Sequence, residues 1–217
     1  MDQADVVVIG AGFAGLRALY TLRAMGKKVV VLEGGADVGG VWYHNGYPGA
    51  RCDVESFDYS YRFSPELEQE WRWSERYATQ PEILRYINHV VERFDLRKDI
   101  RFNSRMKRAA YDEANMRWTV TIEDGRQISA QYFVLAVGQL STTKAPDYPG
   151  QSGFKGEIIH SGVWPKHKVE FDGKRVGIIG TGATAVQCVP HLGAAAKELF
   201  VFQRTPSSVD VRNDRPT

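Results

Sequence analysis

Apolar and helix-compatible stretches alternate along the chain in an order typical of α/β folds. Residues 5–9 predict a short buried strand, because Val6 to Ile9 are all β-branched. A helix-compatible stretch runs from Leu16 to about Met25, and Gly26 is suited to end it. Residues 28–32 predict a second strand, which ends at Glu33. This order indicates a parallel βαβ unit at the start of the chain.

A GxGxxG turn joins this first strand to its helix. The glycines allow a tight turn, close approach of a pyrophosphate and close packing of helix on strand, while the helix N-terminus favours phosphate. Glu33, 23 residues after the first glycine, can bind ribose hydroxyls and would repel a 2′-phosphate. The pattern predicts a dinucleotide site that does not hold NADPH, with contacts at Gly10, Gly12, Phe13, Ala14, Gly15 and Glu33.

A second glycine pair follows this acidic residue. Gly39 and Gly40 precede Val41 and Trp42, and their backbone can approach the same pyrophosphate from its other side. This favours FAD over NAD, although the stretch is also compatible with a loop around a buried tryptophan.

The middle of the chain predicts a helix and a small antiparallel insertion. Pro81 suits a helix start, and residues 82–91 have apolar positions at helical spacing. Residues 118–122 and 127–130 flank an Asp-Gly turn and predict a hairpin. Residues 132–138 predict another buried strand, whose final Gly138 can lie against a cofactor at the carboxyl edge of the sheet.

The opening pattern recurs near residue 180. Residues 174–179 and 198–202 predict strands, separated by the turn GxGxxA and a helix to about Ala196 that Pro190 should kink. Arg204 lies 24 residues after Gly180, where the first unit has Glu33. A guanidinium there can bind a 2′-phosphate, which predicts NADP. The alternative is a surface arginine at a strand end.

These units predict an α/β protein with two Rossmann-like dinucleotide-binding domains, for FAD and then NADP. We expect the FAD-binding domain at 1–140, a linker at 141–173 rich in Thr, Pro and Gly, and the NADP-binding domain from 174 to 217. A nucleotide-binding half normally has a βαβαβ unit. We therefore expect the second domain to be incomplete, and the chain to be the inactive N-terminal portion of a longer protein.

Composition narrows the class of protein. The net charge is +2 and no Lys/Arg run occurs, so neither nucleic acid nor a membrane surface is an expected partner. Cys52 and Cys188 form no CxxC or metal-ligand cluster, which predicts no metal site. An acidic N-terminus and few cysteines favour a cytoplasmic protein.

Residues 154–165 fit the pattern FxGxxxHxxxW(P/D) at Phe154, Gly156, His160, Trp164 and Pro165. With the two glycine turns, Gly39–Tyr43 and the Tyr-Pro-Gly-Ala-Arg-Cys-Asp sequence at 47–53, the chain resembles the Baeyer–Villiger monooxygenases of cyclic and aryl ketones. In that family the fingerprint couples domain movement and does no chemistry. Related flavin monooxygenases that oxidise heteroatoms have a similar string.

The resemblance implies site residues beyond those of the first turn. Asp53 is similar to the family's active-site aspartate and would be catalytic. FAD contacts would fall on Gly40, Val41, Trp42, Tyr43, Asp53, Tyr59, Met106 and Gly138. NADP contacts would fall on Arg51, Cys52, Asp53, Thr181, Gly182, Ala183, Thr184, Ala185, Gln187, Arg204 and Thr205.

The implied activity is that of an NADPH-dependent flavin monooxygenase. Through a C4a-peroxide of the flavin it would insert one oxygen of O2 next to a ketone carbonyl and give an ester or lactone. Two alternatives stay open: an N- or S-oxygenating flavin monooxygenase, and a nucleotide-binding fragment without activity. Neither the individual ketone nor the oligomeric state follows from the residues.

Overall fold

The computed structural model describes residues 1–144 and 146–217; Ala145, in the predicted linker, lies outside the described residues. Two compact units make up the described chain. The first comprises residues 1–43 and 84–142, and the second residues 44–83 and 143–217. Residues 44–83 thus group with the second unit, although the sequence-based division places them in the FAD-binding domain. The domain boundaries at 140 and 173 stay a prediction.

The first unit is built on a mixed sheet. Its elements are β1 (Asp2–Ile9), α1 (Phe13–Ala24), β2 (Val29–Leu32), β3 (Ile100–Arg101), β4 (Met106–Asp112), β5 (Arg117–Ile122) and β6 (Gln127–Leu135). Within the described residues the sheet has six strands in the order β3-β2-β1-β6-β5-β4. β1 pairs in parallel with β2 on one side and β6 on the other. The first predicted βαβ unit is confirmed, and the sheet edge at the end of β1 lies where the strand order reverses.

β6 differs from the prediction. The predicted hairpin strand at 127–130 and the separate strand at 132–138 are one continuous strand, antiparallel to β5 and parallel to β1. No turn-forming residue lies between the two segments, so nothing ends the strand. The prediction that 132–138 is buried is wrong among the described residues, since Tyr132, Leu135 and Val137 are exposed.

The antiparallel part contains one strand more than predicted. β4 pairs antiparallel with β5, after which β5 turns back to β6. Every residue of β4 is exposed or half-buried, and its sequence does not alternate between apolar and polar residues, so no strand was predicted there.

The core of the first unit follows from side-chain alternation in β1. Val7 and Ile9 face a cluster that includes Ile122 and Ile128, while Val6 and Val8 are buried as well. Burial of neighbouring positions on opposite faces is typical of a parallel strand that is covered on both sides. On α1, Leu16 and Leu19 are buried at helical spacing.

The second unit contains a parallel strand pair and helices. Its elements are α3 (Pro65–Glu70), β7 (Arg175–Ile179), α5 (Ala183–Ala195) and β8 (Glu198–Phe202), while α2 (Val41–His44) and α4 (Gln80–Arg93) extend across the division between the units. β7 pairs in parallel with β8. α5 includes Pro190 and buries Ala185, Cys188 and Leu192, so the second predicted βαβ unit is confirmed.

Among residues 1–144 and 146–217, every helix is too short or too polar to cross a bilayer.

The burial pattern of β6 yields a stability prediction. Ile128 is 0% exposed and Leu135 is 59% exposed. Ile128→Ala should lower the free energy of unfolding by about 2–5 kcal/mol, because it leaves a cavity in the core. The matched control Leu135→Ala should change it by about 0.5 kcal/mol or less. Denaturant unfolding of the two variants measures both values, and equal losses would contradict this account of the core.

Candidate functional site

The first glycine turn is closed by contacts that leave no room for side chains. Gly10 has φ +101°, and a β-carbon there would lie 2.5 Å from the carbonyl oxygen of Ala136. A β-carbon on Gly15 would lie 1.8 Å from the carbonyl oxygen of Gly10. The start of α1 is therefore held close against the end of β1, with backbone N–H groups at the carboxyl edge of the sheet.

Glu33 is the charged group at this turn. Its side chain is buried, one carboxylate oxygen accepts the N–H of Ala11 at 2.7 Å, and the other accepts the N–H of Gly35 at 2.7 Å. Each oxygen keeps a further lone pair. The carboxylate thus brings a fixed negative charge and unused acceptor sites to the glycine turn.

The second glycine pair packs on the first turn. The N–H of Gly39 donates to the carbonyl of Ala11 at 3.0 Å, and a β-carbon on Gly40 would lie 3.2 Å from the Cα of Gly12. Val41, Trp42 and Tyr43 begin α2. Trp42 is half-buried in this short helix. The backbones of Gly12 and Gly40 thus lie close together, next to Ala11, whose N–H donates to Glu33.

The other residues assigned to the first site lie around it in different ways. The Phe13 ring lies 6.2 Å from that of Tyr86, and Ala14 is exposed at the start of α1. Met106 packs half-buried against the core at the start of β4. Gly138 is exposed beyond β6 with φ +70°, a conformation that favours glycine.

The second glycine turn is joined to the chain that follows β8. The N–H of Gly180 donates to the carbonyl of Phe202 at 2.9 Å. The hydroxyl of Thr181 donates to the carbonyl of Thr205 at 3.3 Å and accepts from the side-chain amide of Gln203 at 3.3 Å. Arg204, between Gln203 and Thr205, has an exposed side chain. The structure thus brings the predicted Thr181, Arg204 and Thr205 to one edge of the strand pair.

A mainly apolar cleft opens beside this turn, between α5 and the chain after β8. Gly182 precedes the helix, which starts with Ala183, Thr184 and the buried Ala185. The lining residues of the cleft are Thr181, Ala185, Val186, Val189, Pro190, Gln203, Ser207 and Val209.

Gln187 of α5 binds the turn at residues 47–53. The hydroxyl of Tyr47 donates to Oε1 of Gln187 at 2.9 Å, and Nε2 of Gln187 donates to the carbonyl of Arg51 at 3.1 Å. Burial raises the pKa of Tyr47, so the phenol stays protonated and able to donate. The sequence had indicated Gln187 only as a nucleotide contact, and Tyr47 only as part of the motif at 47–53.

Arg51 and Asp53 lie on this turn. The Arg51 guanidinium pairs with Glu75 at 3.2 Å and with Asp214, so two carboxylates balance its charge. The Asp53 side chain is exposed, and its backbone carbonyl accepts from Arg212. The N–H of the half-buried Tyr59 donates to the carbonyl of Glu55 at 3.0 Å. The residues assigned to FAD are therefore divided between the two units.

Both cysteines are free and buried. Burial raises the pKa of the Cys52 thiol and raises that of Cys188 to about 11. Both groups are therefore neutral thiols at physiological pH, and neither is activated as a thiolate nucleophile.

The fingerprint residues make mainly local contacts. Nδ1 of His160 accepts the N–H of Gly162 at 3.1 Å and caps a short 3-10 helix at Ser161–Val163. A β-carbon on Gly156 would lie 2.6 Å from the ring of Phe154. The ring of Trp164, which precedes Pro165, lies 6.3 Å from that of Phe171. These contacts join the fingerprint residues to close neighbours in the chain, and the role of the fingerprint stays a prediction.

Similarity to known proteins extends over nearly the whole chain. Residues 4–214 match the family model described as pyridine nucleotide-disulphide oxidoreductase. A Baeyer–Villiger monooxygenase of Pseudooceanicola batsensis is 46% identical over 206 residues, which are 94% of this chain and 38% of that protein. A phenazine N-monooxygenase of Lysobacter antibioticus is 46% identical over 202 residues, which are 93% of this chain and 37% of that protein.

The fold is also that of solved monooxygenase structures. The complex of OTEMO with FAD and NADP has a TM-score of 0.93 and 45% identity, over 98% of this chain and 41% of that one. The chain thus spans about two fifths of the length of the relatives it matches. The predicted resemblance to Baeyer–Villiger monooxygenases is confirmed, and the chain belongs to the pyridine nucleotide-disulphide oxidoreductase family.

Proposed function

We propose that this chain is the nucleotide-binding part of an FAD- and NADPH-dependent monooxygenase that inserts one oxygen of O2 next to a ketone carbonyl. The observation that carries the proposal is a contrast of charge. The first βαβ unit ends at the buried carboxylate of Glu33, and the second ends beside the exposed guanidinium of Arg204. Two nucleotide sites of opposite charge suit two different dinucleotides.

The first turn fits FAD. The backbones at Gly10, Gly12 and Gly40 would receive the pyrophosphate, since none carries a side chain that blocks it. Glu33 would bind ribose hydroxyls with the lone pairs that Ala11 and Gly35 leave unused. Val41, Trp42, Tyr43, Met106 and Gly138 are proposed as further contacts, and a structural relative with FAD and NADP supports this pairing.

The second turn fits NADP(H). The residues from Thr181 to Ala185 would hold the pyrophosphate at the start of α5, and Arg204 would bind the 2′-phosphate with Thr205 beside it. The apolar cleft next to Thr181 offers a surface for the nucleotide. Arg51, Cys52 and Asp53 are proposed contacts from the 47–53 turn.

Bound FAD would supply the redox chemistry, by accepting hydride from NADPH and activating O2. Overall, NADPH, a proton, O2 and a ketone give NADP⁺, water and an ester or lactone. The residues of this chain would bind and orient the two nucleotides, and we propose Asp53 as the aspartate nearest the reaction. A small ketone and O2 are thus the proposed substrates, and the cytoplasm is the proposed location because both thiols are free.

Oxidation of nitrogen is the second candidate. It is favoured by one observation: the phenazine N-monooxygenase is as similar to this chain, at 46% identity, as the Baeyer–Villiger enzyme. The two reactions need the same nucleotide sites, so the described residues support both.

Product analysis of the full-length protein tests the main proposal. With NADPH and ¹⁸O2, a cyclic ketone should yield a lactone that carries one heavy oxygen, in preference to a competing thioether or aromatic amine. The same protein without NADPH is the control. Formation of only a sulfoxide or N-oxide would reject the ketone proposal in favour of the second candidate.

Closure of the first turn predicts an effect on FAD. In the full-length protein, Gly15→Ala should abolish retention of FAD during purification, because the new β-carbon would push the helix away from Gly10. Gly46→Ala is the matched control, since no atom lies within 4 Å of a β-carbon there. Flavin absorbance per protein measures the outcome, and full FAD content in Gly15→Ala would contradict the assignment.

The charge of Arg204 predicts cofactor preference. Arg204→Gln should raise the Kd for NADPH in the full-length protein about 10- to 100-fold, because a charge-assisted hydrogen bond contributes about 1.5–3 kcal/mol. The Kd for NADH should stay nearly constant. Arg72→Gln, at another exposed arginine of the second unit, is the control. Equal effects on both nucleotides would show that Arg204 does not bind the 2′-phosphate.

A further inference from the structure

The turn at residues 47–53 rests on α5 with a close backbone contact. Gly49 has φ +78°, and a β-carbon there would lie 2.3 Å from the backbone carbonyl oxygen of Gln187 and 2.5 Å from the His191 ring. Glycine is therefore required at this position both for its conformation and for its contact with the helix. The fit means that the turn and α5 hold a defined relative position within the second unit.

Gln187 uses most of its hydrogen-bonding capacity on this turn. Its carbonyl oxygen accepts from the Tyr47 hydroxyl at 2.9 Å and from the Arg51 N–H at 3.4 Å. Its amide nitrogen donates to the Arg51 carbonyl at 3.1 Å. A glutamine amide offers two acceptor sites and two N–H donors, so one N–H is left for any other partner. This arrangement is better suited to holding a protein turn than to binding a nucleotide.

Gln187 lies near the start of α5, close to the proposed phosphate site. The helix begins at Ala183, and Gln187 lies four residues further on, on the same face as Ala183. The N-terminal end of this helix is the proposed phosphate site. The turn that Gln187 binds ends at Asp53. One helix therefore carries both the proposed phosphate site and the support for the proposed aspartate.

We propose that Gln187 is a positioning residue. It ties the 47–53 turn to α5 through Tyr47 and Arg51, and so sets where Arg51 and Asp53 lie relative to the second glycine turn. The inference rests on the proposed function for the identity of the nucleotide and for the role of Asp53. The hydrogen bonds themselves join residues of this chain only.

Hydrogen exchange of the cofactor-free, full-length protein directly tests whether Gln187 holds the 47–53 turn. In Tyr47→Phe, the amides of residues 47–53 should exchange about five- to tenfold faster, as expected for loss of the one hydrogen bond to Gln187. Gln187→Ala removes three hydrogen bonds to the turn and should speed the exchange further. Gln187→Glu keeps both acceptor sites but faces the Arg51 carbonyl with a second oxygen, and should loosen the turn as well. Gly49→Ala should also loosen the turn, because its β-carbon would collide with the backbone of α5. Gln131→Ala, at an exposed glutamine of β6, should leave the exchange rates at 47–53 unchanged.

Nucleotide binding and flavin reduction separate positioning from direct contact. Tyr47→Phe should slow flavin reduction by NADPH several-fold with little change in the Kd for NADP⁺. The double variant Tyr47→Phe/Gln187→Ala should lose less than the sum of the two single variants, because the two side chains share one hydrogen bond.

Two results would overturn the positioning role. One is a large rise in the Kd for NADP⁺ in Gln187→Ala while exchange at 47–53 stays unchanged, which would make Gln187 a direct ligand. The other is faster exchange throughout the second unit, which would make its role one of general stability. Failure of the unmodified protein to reduce flavin with NADPH would reject the proposed function. The exchange data would still show whether Gln187 holds the 47–53 turn.

Discussion

The absence of β-carbons at the first glycine turn is the constraint on which the rest of the first unit depends. The Gly10 carbonyl occupies the place of a Gly15 side chain, and Gly40 lies against Gly12. This close approach leaves backbone N–H groups, rather than side chains, at the carboxyl edge of β1. Such groups bind phosphate without regard to the rest of a ligand, so further residues must decide which nucleotide is bound.

In the proposed function charge makes that decision, and the charged groups are arranged differently in the two units. Glu33 is buried and held by the N–H groups of Ala11 and Gly35, so its carboxylate keeps one position. Arg204 is exposed on the chain that follows β8, and Thr181 holds the residues beside it. A fixed carboxylate suits hydroxyl groups, while an exposed guanidinium suits a phosphate that arrives from solvent.

Much of the fold was predictable because parallel βαβ units depend on local patterns. The β-branched run at Val6–Ile9, the glycine turns and the second strand pair all appear where they were expected. The antiparallel part was less predictable. β4 has no fully buried position, and the exposure of Leu135 is a property of the sheet rather than of its own sequence. Local signals cannot report what packs against a strand.

The sequence by itself determined the two glycine turns, the acidic and basic residues that follow them, and the likeness to flavin monooxygenases. Each rests on one or more motifs whose own residues lie within about 25 positions of one another. Only the tertiary structure decided that Gln187 binds Tyr47 and Arg51, and that Asp214 and Glu75 neutralise Arg51. Tyr47 and Gln187 are 140 residues apart, so no spacing links them. Contacts between residues so far apart in the sequence arise from how the elements pack, and no single segment determines that packing.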